Sequence, residues 1–182
     1  MTLDQFWEHI QKSKRKDPDA HGERIQARLA KLEPDEIVDF IHWWETMSRE
    51  AYDWNLWGAA YMINGGCSDD GFHYFCNWLI LKGRDVFQAA LTNPDTLADV
   101  VNPDEGEVDW DGMVGYSAWF AATGRKRTAK GYDALNAAEL ARHGETPMLP
   151  DLRDMWDHDD DEERRKRFPR LSALYTDGGA DE

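Results

Sequence analysis

From Ile37 to Ala51 the apolar residues Ile37, Phe40, Ile41, Trp44, Met47 and Ala51 recur three and four positions apart. That spacing puts them on one stripe of an α-helix and cannot serve a strand, whose faces alternate at every residue. Pro34 suits the first helical position, where a missing N–H costs nothing. Asp35 and Glu36 follow in the first turn, where the helix dipole favours negative charge. Strand alternation is nearly absent from the chain, so the expected class is all-α.

Phe6, Trp7 and Ile10 predict a helix over about residues 4–16, ended by Asp17-Pro18-Asp19, with a second short helix to about residue 32. The chain bends near Asp53 and resumes as a helix over 54–63, which Asn64-Gly65-Gly66 terminates. Ser68 caps the next helix, which places Phe72, Phe75, Cys76 and Leu79 on one face and Asp70, His73 and Asn77 on the other; Gly83 closes it. A short helix near 96–100 leads into an acidic loop, residues 102–111, followed by helices over 113–123 and about 134–143. Beyond Arg164-Arg165-Lys166-Arg167, the apolar Phe168, Pro169, Leu171, Leu174 and Tyr175 predict that the chain returns to dock on the core, while 176–182 fray. The expectation is one compact helical domain, 1–175, of about six to eight helices, with a long acidic loop and a docked C-terminal tail. Neither a repeat nor a domain linker is visible.

With 182 residues, nine of them tryptophan, and 12% aromatic residues, the chain has enough large rigid side chains to fill one core. A membrane span needs about 20 consecutive apolar residues, and none occurs. The start, Met1-Thr2-Leu3-Asp4, has no basic leader followed by an apolar stretch, which points to the cytoplasm. Cys67 and Cys76 are too far apart along one helix to meet the roughly 7 Å limit of a disulfide, so two reduced thiols are expected.

Thirty-six acidic residues against 21 basic ones give a formal charge of −15, which repels nucleic acid. The charge is uneven. No Lys or Arg falls between Arg84 and Arg125, a stretch that holds Asp85, Asp95, Asp99, Asp104, Glu105, Glu107, Asp109 and Asp111, and a second acidic run covers 157–163. Such runs serve as solvated surface that keeps a protein soluble, or as a docking surface for a basic protein or peptide.

Phe6-Trp7, Leu56-Trp57-Gly58-Ala59-Ala60-Tyr61, Gly65-Gly66-Cys67-Ser68-Asp69-Asp70-Gly71-Phe72, Trp78-Leu79-Ile80 and Arg167-Phe168-Pro169-Arg170-Leu171 resemble the family catalogued as domain of unknown function 4240. The resemblance implies one helical domain and no particular activity. The chain departs from the family at Cys76, where arginine is common.

The glycine–serine–aspartate string is the place to look for chemistry. Asp69, Asp70, His73 and Cys67 are the residue types that bind a divalent metal or exchange protons. Adjacent residues, however, point about 100° apart on a helix, and no metal-binding motif is present. No metal, cofactor or catalytic residue is therefore assigned. The string equally serves as a stiff helix junction, with glycines for the turn and Ser68 for the cap. Trp54 and Trp57 offer ring faces to a cation, so the candidate binding residues are Trp54, Trp57, Asp69, Asp70 and His73. Ser68 and Ser117 lack a nucleophile elbow, and His42 reads as a packing residue. The favoured reading is a non-catalytic intracellular interaction domain, acting as a regulator, adaptor or toxin-neutralising partner through its acidic surface. The alternative is an enzyme with a pocket around Gly-Gly-Cys-Ser-Asp-Asp-Gly-Phe. Oligomeric state is not encoded in any pattern found.

Overall fold

The computed structural model describes residues 1–176. The helices in chain order are α1 (Leu3–Ser13), α2 (Pro18–Leu29), α3 (Pro34–Glu50), α4 (Trp54–Asn64), α5 (Asp69–Leu81), α6 (Arg84–Thr92), α7 (Val114–Thr123), α8 (Ala129–His143), α9 (Asp161–Arg167) and α10 (Pro169–Thr176). Short 3-10 helices cover Pro94–Asp99 and Pro103–Glu105, and no strand occurs among the described residues. Ten α-helices among the described residues exceed the six to eight expected, and the physical reason lies in the extra ones. Helix α9, Asp-Glu-Glu-Arg-Arg-Lys-Arg, has no apolar stripe for a periodicity argument to find. Helices α6 and α10 are only nine and eight residues long. Of the tail expected to fray, Thr176 ends α10 and 177–182 lie outside the described residues.

Local signals set most boundaries. Thr2 and Gln5 form a reciprocal capping box at α1, and Asp17 caps α2 ahead of Pro18. Pro34 opens α3, and Gly65 ends α4 at φ 66°, a left-handed conformation that costs glycine nothing. Asp53 caps α4 by accepting from the Asn55 and Leu56 N–H groups at 2.9 and 3.0 Å.

Packing gathers the chain into two compact units, Met1–Met47 with Asp111–Leu149, and Ser48–Trp110 with the chain from Pro150 onward; the division falls within α3. In the first unit the stripe of α3 meets α1 through Phe6 and Phe40, whose ring centroids are 4.9 Å apart. Gly115 lets α7 approach α3 closely, since a Cβ there would sit 2.7 Å from Ile41 Cγ1. Asp39, 3% exposed, accepts hydrogen bonds from Arg142 near the end of α8, one of them at 2.9 Å, and from the Met1 amine. His143 Nε2 lies 2.9 Å from the same carboxylate, and its ring stacks on His42 at 3.9 Å. A charge this buried persists only because it is so fully paired.

In the second unit α5 runs through the core. Phe75, Cys76, Asn77, Trp78, Leu79, Ile80 and Leu81 are all buried. This corrects the expectation that Asn77 faces solvent: it is 1% exposed, because α4 and α6 both pack against α5. The other organising contact is at α10. Its first turn begins with Pro169, and the N–H groups of Arg170 and Leu171 have no intrahelical acceptor. Asp95, in the 3-10 helix Pro94–Asp99 and 4% exposed, accepts both, from Arg170 at 3.0 Å and Leu171 at 2.9 Å. Arg170 also pairs with Asp99 through its side chain. This remote cap seats Phe168 and Leu171, both fully buried or nearly so, in the core.

Replacing Asp95 by Ala removes the acceptor from two sequestered N–H groups. The expected cost is about 2 kcal/mol or more, read as a lower denaturant midpoint. Asp104→Ala, on the exposed loop, should leave the midpoint nearly unchanged.

Candidate functional site

The string from Gly65 to His73 folds as a turn and a helix start. Gly65 and Gly66 reverse the chain at positive φ, the Gly66 N–H closes onto the Tyr61 carbonyl at 2.9 Å, and Ser68 Oγ accepts from the Gly71 N–H at 3.2 Å. Asp69 and Asp70 stand exposed in the first turn of α5, and His73 is exposed one turn later. Trp57 and Trp54 turn inward. The Trp57 indole donates to the Cys67 carbonyl at 3.0 Å, and its ring stacks on Phe72 with centroids 4.6 Å apart, which braces the turn between α4 and α5. The Trp54 indole donates to the Trp156 carbonyl at 2.8 Å, and its ring stacks on His158 at 4.1 Å. No hydrogen bond or ion pair among the described residues joins these tryptophans to Asp69, Asp70 or His73.

The Cys67 thiol is pushed up to about 11, chiefly by burial and secondarily by Glu107. Burial also raises Cys76. Both are therefore neutral thiols at physiological pH, which removes the nucleophilic form. No grouping of three or more His, Cys, Asp or Glu suited to a metal ion exists among the described residues.

Residues 102–111 contain the 3-10 helix Pro103–Glu105 and otherwise run without regular structure. They are nevertheless firmly held. Asn64 grips the backbone of Val108 from both sides: its Oδ1 accepts from the Val108 N–H at 2.9 Å, and its Nδ2 donates to the Val108 carbonyl at 3.4 Å. Trp110 is 8% exposed, and its N–H reaches the Tyr74 carbonyl at 3.2 Å. Beside these anchors Asp104, Glu107 and Asp109 face solvent.

A strap formed by the residues ahead of α9 covers α4. Trp156 lies so close over Gly58 that a Cβ there would sit 2.4 Å from Cζ2 of the indole. Asn55 Oδ1 accepts from the Trp156 indole at 3.0 Å and from Arg167 at 2.7 Å, and the Arg167 guanidinium lies 5.1 Å from the Trp156 ring centre. His158 Nε2 lies 3.1 Å from the Trp54 carbonyl. Sequence reasoning missed Asn64, Trp156 and His158. Asn64 carried a local signal, as part of a turn, but nothing in the sequence marks its reach to Val108.

These features define an all-helical protein with an exposed, anchored acidic loop and neutral thiols. The chain belongs to the family described as a protein of unknown function (DUF4240), whose model matches residues 1–123. The match covers α1 to α7 and stops short of Arg167-Phe168-Pro169-Arg170-Leu171. Neither the curated proteins nor the solved structures contain a match.

Burial lowers the proton affinity of His9, His143 and His158 below the ordinary value of 6.5; at His158 the Trp54 carbonyl opposes this and burial wins. The unfolded chain therefore binds more protons than the fold just below pH 6.5. The stability these groups confer is fully present above that pH and is lost as pH falls toward their folded values. The melting temperature should drop from pH 7.5 to about 5.5, before most carboxylates titrate. A flat or rising curve in that window would contradict the assignment.

Proposed function

We propose that this protein is a non-catalytic, cytoplasmic interaction domain that docks a basic protein or peptide on its acidic surface, as a regulator, an adaptor or a toxin-neutralising partner. The observation that carries the reading is the anchored loop. Like charges repel, so a stretch bearing Asp104, Glu105, Glu107, Asp109 and Asp111 would relax by spreading into solvent unless something held it. Asn64 and Trp110 hold it. A surface fixed before binding loses little conformational entropy when a partner arrives, and its field speeds the approach of a cation. The unbridged cysteines accord with a reducing compartment, and no helix among the described residues is long and apolar enough to cross a membrane.

The test uses a panel of lysine- and arginine-rich peptides of varied sequence, with binding followed by fluorescence anisotropy at low and high salt. The loop variant carries Asp104→Asn, Glu107→Gln and Asp109→Asn. A control with equal charge change carries Asp19→Asn, Glu23→Gln and Glu145→Gln, all exposed positions outside the loop segment. The loop variant should bind at least about tenfold more weakly, and the control should not; equal losses in the two would mean the acidity acts only as a general field. Binding indifferent to salt would also defeat the reading.

A further inference from the structure

Arg125, Lys126, Arg127 and Lys130 crowd four cations into six residues of a chain whose formal charge is −15. They form the turn from α7 into α8, and all four are exposed. The chain has 36 acidic residues, yet none of the four has an ion-pair partner among the described residues, whereas Lys12, Arg142, Lys166 and Arg170 each have one. The turn is also held in place. The Arg125 guanidinium lies 5.9 Å from the centre of the Trp119 ring and that of Arg127 lies 6.0 Å from the centre of Phe120, so two of the cations rest on buried rings. Gly131 lets the backbone fold back on α8, since a Cβ there would sit 2.2 Å from the Lys126 carbonyl oxygen. Thr128 precedes α8 without a side-chain cap, so the positive end of a 15-residue helix adds to the same field.

Four like charges held together repel one another, and an acidic segment that meets them relieves that repulsion. This chain carries such a segment. Asp104, Glu107 and Asp109 are exposed on the loop that Asn64 and Trp110 anchor. Because both surfaces are fixed beforehand, little conformational entropy is lost when they meet. We infer that the basic turn of one copy of this protein docks on the acidic loop of a second copy. The inference rests on the reading of the loop as a docking surface and names its basic partner. Net charge does not forbid the contact. At physiological ionic strength, charges farther apart than about 8 Å are largely screened, so repulsion between two acidic copies fades while opposite charges in contact still attract. Exposed ion pairs are individually weak, which puts the dissociation constant at about 0.1–1 mM. The contact joins two different faces, so copies add in series unless the arrangement closes on itself.

The test is sedimentation equilibrium of the full chain at concentrations up to about 1 mM. The average mass should rise with concentration in about 0.15 M salt and fall to that of the monomer in about 1 M salt. The loop variant Asp104→Asn, Glu107→Gln, Asp109→Asn should associate at least about tenfold more weakly, and so should a turn variant, Lys126→Glu with Lys130→Glu, which spares both ring-bound arginines. Mixed in equal amounts, the two variants should form a 1:1 complex and nothing larger, because the loop variant keeps an intact turn and the turn variant an intact loop. That recovery also requires both variants to be folded, and each should melt with the wild type. A wild-type chain that stays monomeric, self-association that survives either set of substitutions, or two natively melting variants that form no complex would overturn the inference. The turn variant should still bind the basic peptides. A monomeric wild type that captures those peptides on its loop would sink this inference and leave the loop reading standing, whereas a loop that binds neither would sink both.

Discussion

A helix that begins with proline at the edge of a protein core has an electrostatic problem: the first-turn N–H groups that remain have no acceptor within the helix. In this chain the acceptor is Asp95, 75 residues from Arg170 in sequence. Each partner justifies the other's burial. The carboxylate is stabilised by two backbone donors and the positive end of the helix dipole, and the helix start is stabilised by a full negative charge. The consequences reach well beyond the cap, since seating α10 this way buries Phe168 and Leu171 and sets one wall of a cavity in the second unit, to which Ser172 and Tyr175 belong.

The acidic loop follows a related logic with the sign reversed. The backbone that carries its carboxylates is gripped by an amide side chain and by a buried indole. Asn64 suits this task because one planar group both donates and accepts, matching the C=O and N–H of a single residue without adding charge. The loop thus keeps its field while giving up its freedom, and the cost of holding like charges together is borne by the fold.

What the sequence discloses and what it hides divide along chain distance. Pro34, Ser68 and the glycines at 65 and 66 act within a few residues of themselves, so those helix ends could be read directly, whereas the box of Thr2 and Gln5 at the first helix went unread. The stripe of α3 was equally plain, because a single period dictates it. Asn77 deceived by the same reasoning: a polar residue opposite an apolar face reads as exposed, and only neighbours on both sides of α5 bury it. Asp95, Asn64 and Trp156 act across 44 to 101 residues, and no local pattern distinguishes a carboxylate that will cap a distant helix from one that stays in solvent. Of the candidate site, the exposure of Asp69 and Asp70 at a capped helix start followed from Ser68, whereas the inward turn of Trp54 depends on a strap that no periodicity announces.

Gly58 lies inside the stretch matched by the family and Trp156 lies outside it, yet the indole leaves no room for even a methyl group at position 58. Two segments, one inside the matched stretch and one beyond it, are therefore locked by shape. Where a relative carries a smaller residue in place of the indole, the severest constraint on position 58 is lifted and only the 3.2 Å approach of His158 Cδ2 is left to be relieved. Covariation between these two positions is the trace such a lock leaves, and it would mark which members of the family wear the same strap.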